Sequence, residues 1–68
     1  MTLRTPVFPR GTRVELQRGR FPFDASLIGR VGTVVEVSDY RPERYGIVLD
    51  GEERVRDLHE SELTAPGD

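Results

Sequence analysis

Arginine is the residue type in this chain that is best suited to binding chemistry. All ten basic residues are arginine, and lysine is absent. The planar guanidinium group donates paired hydrogen bonds to phosphate or carboxylate oxygens and stacks on aromatic rings. Arginines close to aromatic rings are typical of surfaces that bind single-stranded or structured RNA. The candidate nucleic-acid-binding residues are Arg13, Arg18, Arg20, Arg30, Phe21 and Tyr40.

Charge is distributed unevenly along the sequence. Residues 1–35 contain six arginines and two acidic residues, whereas residues 36–68 contain four arginines and ten acidic residues. This asymmetry indicates a basic face for an anionic partner. The alternative is that the arginines are solvated and paired with Glu15, Asp24 and Glu36. The isoelectric point near 5.3 favours this alternative, because nucleic-acid-binding surfaces are normally basic.

A second group of residues is suited to contact with a partner protein. Phe21 and Phe23 flank Pro22 in a stretch of loop composition, where they either cover one end of the core or form an exposed surface. Arg54 and Arg56 are expected to point outward beside an acidic strand edge at residues 52–57. The candidate protein-docking residues are Phe21, Phe23, Arg54 and Arg56.

The sequence does not favour catalysis or metal binding. His59 is the single histidine and cysteine is absent, so no triad and no zinc site can be assembled. The acidic residues lack the spacing of a calcium loop. Gly29 and Gly32 are too close together for a dinucleotide fingerprint. We therefore expect no catalytic residue, no metal, no cofactor and no small-molecule substrate.

Alternating apolar residues predict the strands that position these groups. Residues 12–18 form a half-buried first strand with Val14 and Leu16 inward, and residues 19–26 form a long loop. A central strand covers residues 30–38, and residues 44–50 form a third strand. Tyr45, Ile47 and Leu49 share one face of that third strand.

The second half of the sequence predicts a hairpin and a short last strand. Asp50-Gly51 is a strong signal for a two-residue turn of type I′. The returning strand covers residues 52–58 with Val55 inward. Residues 59–61 are expected to form one helical turn, and residues 62–64 a last strand with Leu63 buried.

Three glycines are predicted to be structural. Gly29 and Gly32 stand where the central strand begins, which indicates a bulge, a bend or a close approach of two backbones. Gly51 belongs to the predicted hairpin turn. A long strand that bends at its start suits a tightly curled small sheet.

These elements predict an all-β fold. It is a small five-stranded SH3-like barrel with a long first loop, an Asp-Gly hairpin and one helical turn before the last strand. Residues 1–10 are expected to form an extended arm, in which Val7 and Phe8 pack against the barrel. Residues 11–64 form the barrel and residues 65–68 the tail. The alternative is an OB-type barrel, which usually has a helix between the third and fourth strands.

The central stretch resembles the KOW motif of ribosomal proteins and transcription elongation factors. The matching positions are Gly29, Arg30, Gly32, Val34 and Val37. Together with the preceding strand, the resemblance covers about half of the chain. It implies a binding module that contacts RNA or a ribonucleoprotein assembly of transcription or translation.

Small barrels of similar layout also serve as accessory subunits. The chain is similar in this respect to barrels of ferredoxin–thioredoxin reductase, photosystem I and the nitrile hydratase β-subunit. Such barrels contact another protein and perform no chemistry themselves. This similarity implies the alternative function of a docking subunit in a larger redox or enzyme complex.

The sequence also predicts where the protein is located. No apolar stretch approaches the roughly 20 residues of a membrane helix. Residues 1–10 have no apolar core of the kind found in signal peptides. We expect a cytoplasmic protein that has no contact with a membrane.

Overall fold

One antiparallel sheet of five strands forms the fold. The computed structural model describes residues 8–20, 22, 24–38 and 40–66. The strands are β1 (Arg13–Leu16), β2 (Val31–Val37), β3 (Arg44–Leu49), β4 (Arg56–His59) and β5 (Leu63–Thr64). Their order across the sheet is β4-β3-β2-β1-β5. No α-helix occurs in the described residues, so the predicted all-β class is confirmed.

Alternation along the strands builds the core, as the sequence predicts. Val14 and Leu16 of β1 and Ile47 and Leu49 of β3 are fully buried. The other buried apolar side chains are Leu27, Val34, Tyr45, Leu58 and Leu63. Phe8 packs edge-on against the Tyr45 ring, with the ring centroids 5.7 Å apart. Phe8 therefore joins the core from the N-terminal side.

Two short 3₁₀ turns connect the strands. The first, Ala25–Leu27, interrupts the predicted long loop and places Leu27 in the core. The second, Glu60–Glu62, precedes β5 where a helical turn is predicted. Its cap is His59, whose side chain accepts a hydrogen bond from the Ser61 N–H. The Glu62 carboxylate in turn accepts one from the His59 N–H at 2.9 Å.

The structural glycines play different roles. Gly29 and Gly51 have φ angles of +90° and +89°, a region that side chains with a Cβ rarely adopt. Gly32 is required by a close approach instead. A Cβ at that position would lie 2.6 Å from the Val48 carbonyl oxygen of β3. The bulge itself lies further along, because the β2–β3 register shifts between Val34 and Glu36.

The predicted two-residue hairpin at Asp50-Gly51 is wrong. A type I′ turn needs positive φ at both residues, and no non-glycine residue in the described part of the chain has it. The Glu52 N–H does donate to the Leu49 carbonyl, which closes a turn. However, β4 begins only at Arg56, so residues 50–55 form a longer connection. As a result Val55 is not inward but 49% exposed.

The sheet does not close into a barrel, contrary to the prediction. β4 and β5 are its two edges, and no ladder joins them in the described part of the chain. β1 pairs with β2 and β5, and β3 pairs with β2 and β4. Several residues named in the predictions lie outside the described part of the chain, namely residues 1–7 of the arm, Phe21, Phe23 and residues 67–68 of the tail. The limits of arm, barrel and tail therefore stay predictions.

Candidate interaction surfaces

Two of the predicted arginines meet at Asp50, where β3 ends. Arg13 donates two hydrogen bonds to the Asp50 carboxylate, at 2.8 and 2.5 Å. Arg30 donates to the Asp50 backbone carbonyl at 3.1 Å. The hydrogen bonds from Arg13 lower the pKa of the Asp50 carboxyl. The two guanidinium groups are thus occupied by groups of the protein itself.

A second ion pair lies in the β3–β4 connection. Arg56 binds both carboxylate oxygens of Glu52, at 2.9 and 3.0 Å. These hydrogen bonds lower the pKa of Glu52, and the fields of Arg56, Arg30 and Arg54 act in the same direction. Hydrogen bonds from Ser26 lower the pKa of Asp24, with a further contribution from Arg56.

The six predicted nucleic-acid-binding residues do not form one cluster. Arg13 and Arg30 lie together at Asp50, whereas Tyr40 lies in the β2–β3 connection at the opposite end of these strands. Arg18 and Arg20 follow β1 toward the second 3₁₀ turn, where the Arg20 N–H donates to Ser61 Oγ. Phe21 lies outside the described residues.

The structure differs at Arg13 from the pairing of arginines with Glu15, Asp24 and Glu36. Arg13 binds Asp50, which is 37 positions away in the sequence. Among the docking candidates, Arg54 is exposed, while Arg56 is partly buried and bound to Glu52. Phe23, like Phe21, lies outside the described residues.

Two grooves that the residue pattern does not predict flank β4. The outer groove has a volume of about 440 Å³ and is lined by Glu36, Arg41, Arg44, Gly46, Val55 and Asp57, among others. The inner groove, of about 380 Å³, is lined by Asp24, Leu27, Arg54, Val55, Asp57 and Leu58, among others. Val55 and Asp57 line both grooves. The segment that includes β4 is therefore a ridge between two depressions.

Gly46 forms part of the floor of the outer groove. It pairs with Glu36 on β2 and with Asp57 on β4, so one carboxylate stands on each side of it. A Cβ at Gly46 would lie 2.9 Å from Glu36 and from Val55. The sequence signal for this groove is the isolated glycine in β3, which indicates close packing over a strand.

The buried polar groups serve the fold. His59 and Glu62 are the buried polar or charged side chains of the described chain, and both belong to the cap of the second 3₁₀ turn. No group of three or more histidine, cysteine or acidic side chains in the described ranges is placed to hold a metal ion. No helix among the described residues is long and apolar enough to cross a membrane.

Comparison of the chain with known protein families, with curated proteins and with solved structures found no match.

Proposed function

We propose that the chain is a non-catalytic binding module whose principal contact is with another protein. This proposal is supported by the hydrogen bonds that Arg13, Arg30 and Arg56 donate to backbone or carboxylate oxygens of the chain. Binding a phosphate through these arginines competes with those hydrogen bonds. The surface along β4, with its two grooves and exposed Val55, needs no such rearrangement.

The proposal includes an SH3-like fold and a cytoplasmic location. The strand order β4-β3-β2-β1-β5 and the 3₁₀ turn before β5 support the SH3-like assignment. The KOW resemblance at Gly29–Val37 is part of the same proposal, since Gly32 stands at a close approach of two strands. The module uses no cofactor and no small-molecule substrate, and it acts as an accessory subunit of a larger complex.

Affinity purification with and without nuclease tests the protein contact. The tagged chain is captured from cell extract in two arms, one treated with nuclease before capture. A partner protein that stays bound in stoichiometric amount after nuclease treatment supports the proposal. Loss of every partner on nuclease treatment contradicts it and leaves RNA as the ligand.

RNA contact is the second candidate, and Arg18 and Arg20 favour it. Both are exposed, and neither guanidinium forms a hydrogen bond or ion pair with another described residue. Two phosphate contacts on a single strand predict that log K falls with log salt at a slope of about −1.4, because each contact contributes about −0.7. This is the module of a ribonucleoprotein assembly that the KOW resemblance implies.

A titration of fluorescent oligoribonucleotides at two salt concentrations measures this slope. Arg18→Glu with Arg20→Glu should abolish binding, whereas Arg54→Glu, which reverses one exposed arginine elsewhere, should leave it in place. Absence of binding up to about 100 μM, the weak end of non-specific affinities, eliminates the RNA candidate.

A further inference from the structure

Among the residues that the structure describes, β4 is an edge strand with one unpaired side. It pairs there with β3, in the register Tyr45↔Leu58 and Gly46↔Asp57. The Glu60 N–H donates to the Glu43 carbonyl at 2.8 Å, which fixes the positions at which the two strands exchange hydrogen bonds. Because these positions alternate along an antiparallel pair, the backbone of Leu58 bonds to β3 and that of Asp57 faces away.

The backbone groups on the free side of β4 are open only before His59. The His59 N–H faces the same side as that of Asp57 by this alternation, and it already donates to the Glu62 carboxylate. A strand added to this edge is therefore limited to the segment before His59. Val55 and Asp57 provide the open backbone groups, which is enough for a short extended peptide.

The outer groove determines which side chain fits beside Asp57. The groove is lined by two arginines, Arg41 and Arg44, as well as by Glu36 and Asp57. Asp57 lies on β4 itself, and its carboxylate has no ion-pair or hydrogen-bond partner among the described residues. A lysine or arginine side chain directly opposite Asp57 on an added strand can pair with the Asp57 carboxylate. Opposite charges on neighbouring strands attract, whereas an acidic side chain at this position is repelled.

The inner groove determines the positions on either side of that basic residue. Side chains of a strand alternate between its two faces, so the neighbours of the basic residue point into the inner groove. The apolar part of this groove is formed by Leu27, Val55 and Leu58. Its charged lining residues are Asp24, Arg54, Arg56 and Asp57. Apolar side chains that enter this groove pack against its apolar part and are removed from water, which favours their binding.

We propose that β4 docks an extended peptide segment of a partner protein as a sixth strand of the sheet. The segment carries a basic residue opposite Asp57, flanked by apolar residues that enter the inner groove. Backbone hydrogen bonds to Val55 and Asp57 supply affinity, and the two grooves supply specificity. This inference rests on the proposed function of protein docking and names the mode and the chemistry of the partner.

A second copy of this chain is the less suitable occupant. Two β4 strands related by a twofold axis at Asp57 place Asp57 opposite Asp57 of the other copy. Like charges directly opposite each other on paired strands are destabilising. Acidic side chains on an edge strand are a common device against self-association. The free edge therefore favours a basic partner over self-pairing.

NMR titration with a designed peptide tests the proposal. The probe is the acetylated and amidated peptide Thr-Leu-Lys-Leu-Thr, whose palindromic sequence presents lysine opposite Asp57 in either strand direction. We expect amide shifts confined to residues 54–59 and the neighbouring groove walls. At saturating peptide, hydrogen exchange at the Asp57 amide should slow by about tenfold, because that amide gains an acceptor. Shifts centred on Arg18 and Arg20 instead overturn the proposal.

Charge reversal provides the matched controls. The peptide Thr-Leu-Glu-Leu-Thr should bind the native chain about fivefold more weakly than the lysine peptide. Asp57→Lys should reverse this preference, whereas Glu53→Lys, at an exposed position that lines neither groove, should not. Equal binding of both peptides to the native chain, or no effect of Asp57→Lys, contradicts the assignment of the outer groove.

An N-methylated peptide separates strand addition from simple charge attraction. Methylation of the amides that face β4 removes the backbone donors and leaves every side chain in place. Unchanged affinity of this peptide overturns strand addition. If a partner protein resists nuclease treatment but its binding ignores Asp57→Lys, the β4 inference fails while the proposed docking function stands. If no partner survives nuclease treatment, the docking function itself fails.

Discussion

The Arg13–Asp50 ion pair is exposed, so it contributes more to the placement of β3 and β1 than to the free energy of folding. The two side chains are about half exposed, at 50% and 57%. Exposed ion pairs contribute little to stability because water and salt screen them. The paired hydrogen bonds hold the end of β3 against the start of β1, 37 positions earlier in the sequence.

The pKa values of Asp50 and Glu52 predict how stability depends on pH. Both are lowered by hydrogen bonds from arginine, relative to ordinary values of 3.8 and 4.5. The folded state therefore binds fewer protons than the unfolded state as the pH drops below about 5. The contribution to stability is complete above that pH and is lost as the pH falls through the lowered values.

We expect the urea midpoint to fall between about pH 6 and pH 3, and to fall less steeply in Asp50→Asn. Raising the salt concentration to about 1 M should also reduce the difference between the native chain and the variant, since it shortens the screening length to about 3 Å. A variant whose midpoint falls as steeply as that of the native chain shows that the Asp50 pair makes no difference to acid stability.

Gly32 and Gly29 provide a contrast between two reasons for glycine. Gly32→Val should destabilise the fold by about 1–3 kcal/mol, because its side chain meets the Val48 carbonyl and Ile47. Gly29 has open space around it but a φ of +90°. Gly29→Ala should therefore cost about 1–2 kcal/mol through backbone strain, and Gly29→Asn less. Urea denaturation measures both, and an unchanged midpoint for Gly32→Val removes the close-approach explanation.

At the scale of elements, the cap of the second 3₁₀ turn links β4 to β5. His59 Nδ1 accepts from the Ser61 N–H at 3.1 Å and lies 2.8 Å from Ser61 Oγ. The same hydroxyl accepts from the Arg20 N–H. One short turn thus connects the edge strand β4, the strand β5 and the loop that follows β1.

Substitution of His59 tests this cap. His59→Ala and His59→Asn both remove the imidazole ring, but asparagine supplies an amide oxygen that can accept from the turn. We expect His59→Asn to be more stable than His59→Ala by about 1 kcal/mol, the usual value of an N-terminal cap. Thermal unfolding compares the two variants directly. Equal stabilities mean that the ring contributes through packing alone.

The strands were predictable from sequence because their signal is local. Val14, Leu16, Ile47 and Leu49 alternate with polar neighbours, and the side that faces the core follows from that period. The turn after β3 was not predictable in the same way. Asp50-Gly51 is a local hairpin signal, but the carboxylate of Asp50 is held by a residue on β1. The two residues of the dipeptide give no information about a contact with a residue 37 positions away.

Across the whole molecule, protection should follow the order of strands. β2 and β3 have a partner on both sides, whereas β4 and β5 are the edges. Native-state hydrogen exchange should be slowest at Val34 and Ile47 and much faster at Asp57, whose amide faces none of the five described strands. Protection at Asp57 equal to that at Ile47 means that the free edge of β4 is covered.

The candidate surfaces were predictable only in part, for a physical reason. Arginine-rich and acidic stretches can be recognised from residue types. The hydrogen bond between Arg30 and Asp50, however, depends on the sheet register. The outer groove likewise requires Glu36, Gly46 and Asp57 to lie side by side on three strands. Periodicity along one strand carries no information about which strands become neighbours.

The position of β1 between β2 and β5 determines when this chain can fold. Glu15 pairs with Thr64, so β1, the earliest of the five described strands, needs β5, the latest of them, to complete its pairing. At an elongation rate of about 5–20 residues per second, β1 lacks its second neighbour, β5, until residues 63 and 64 have been made. Contacts between such distant segments slow folding, toward the millisecond-to-second range of β-rich domains. The order of strands thus delays completion of the sheet until β5 has been made.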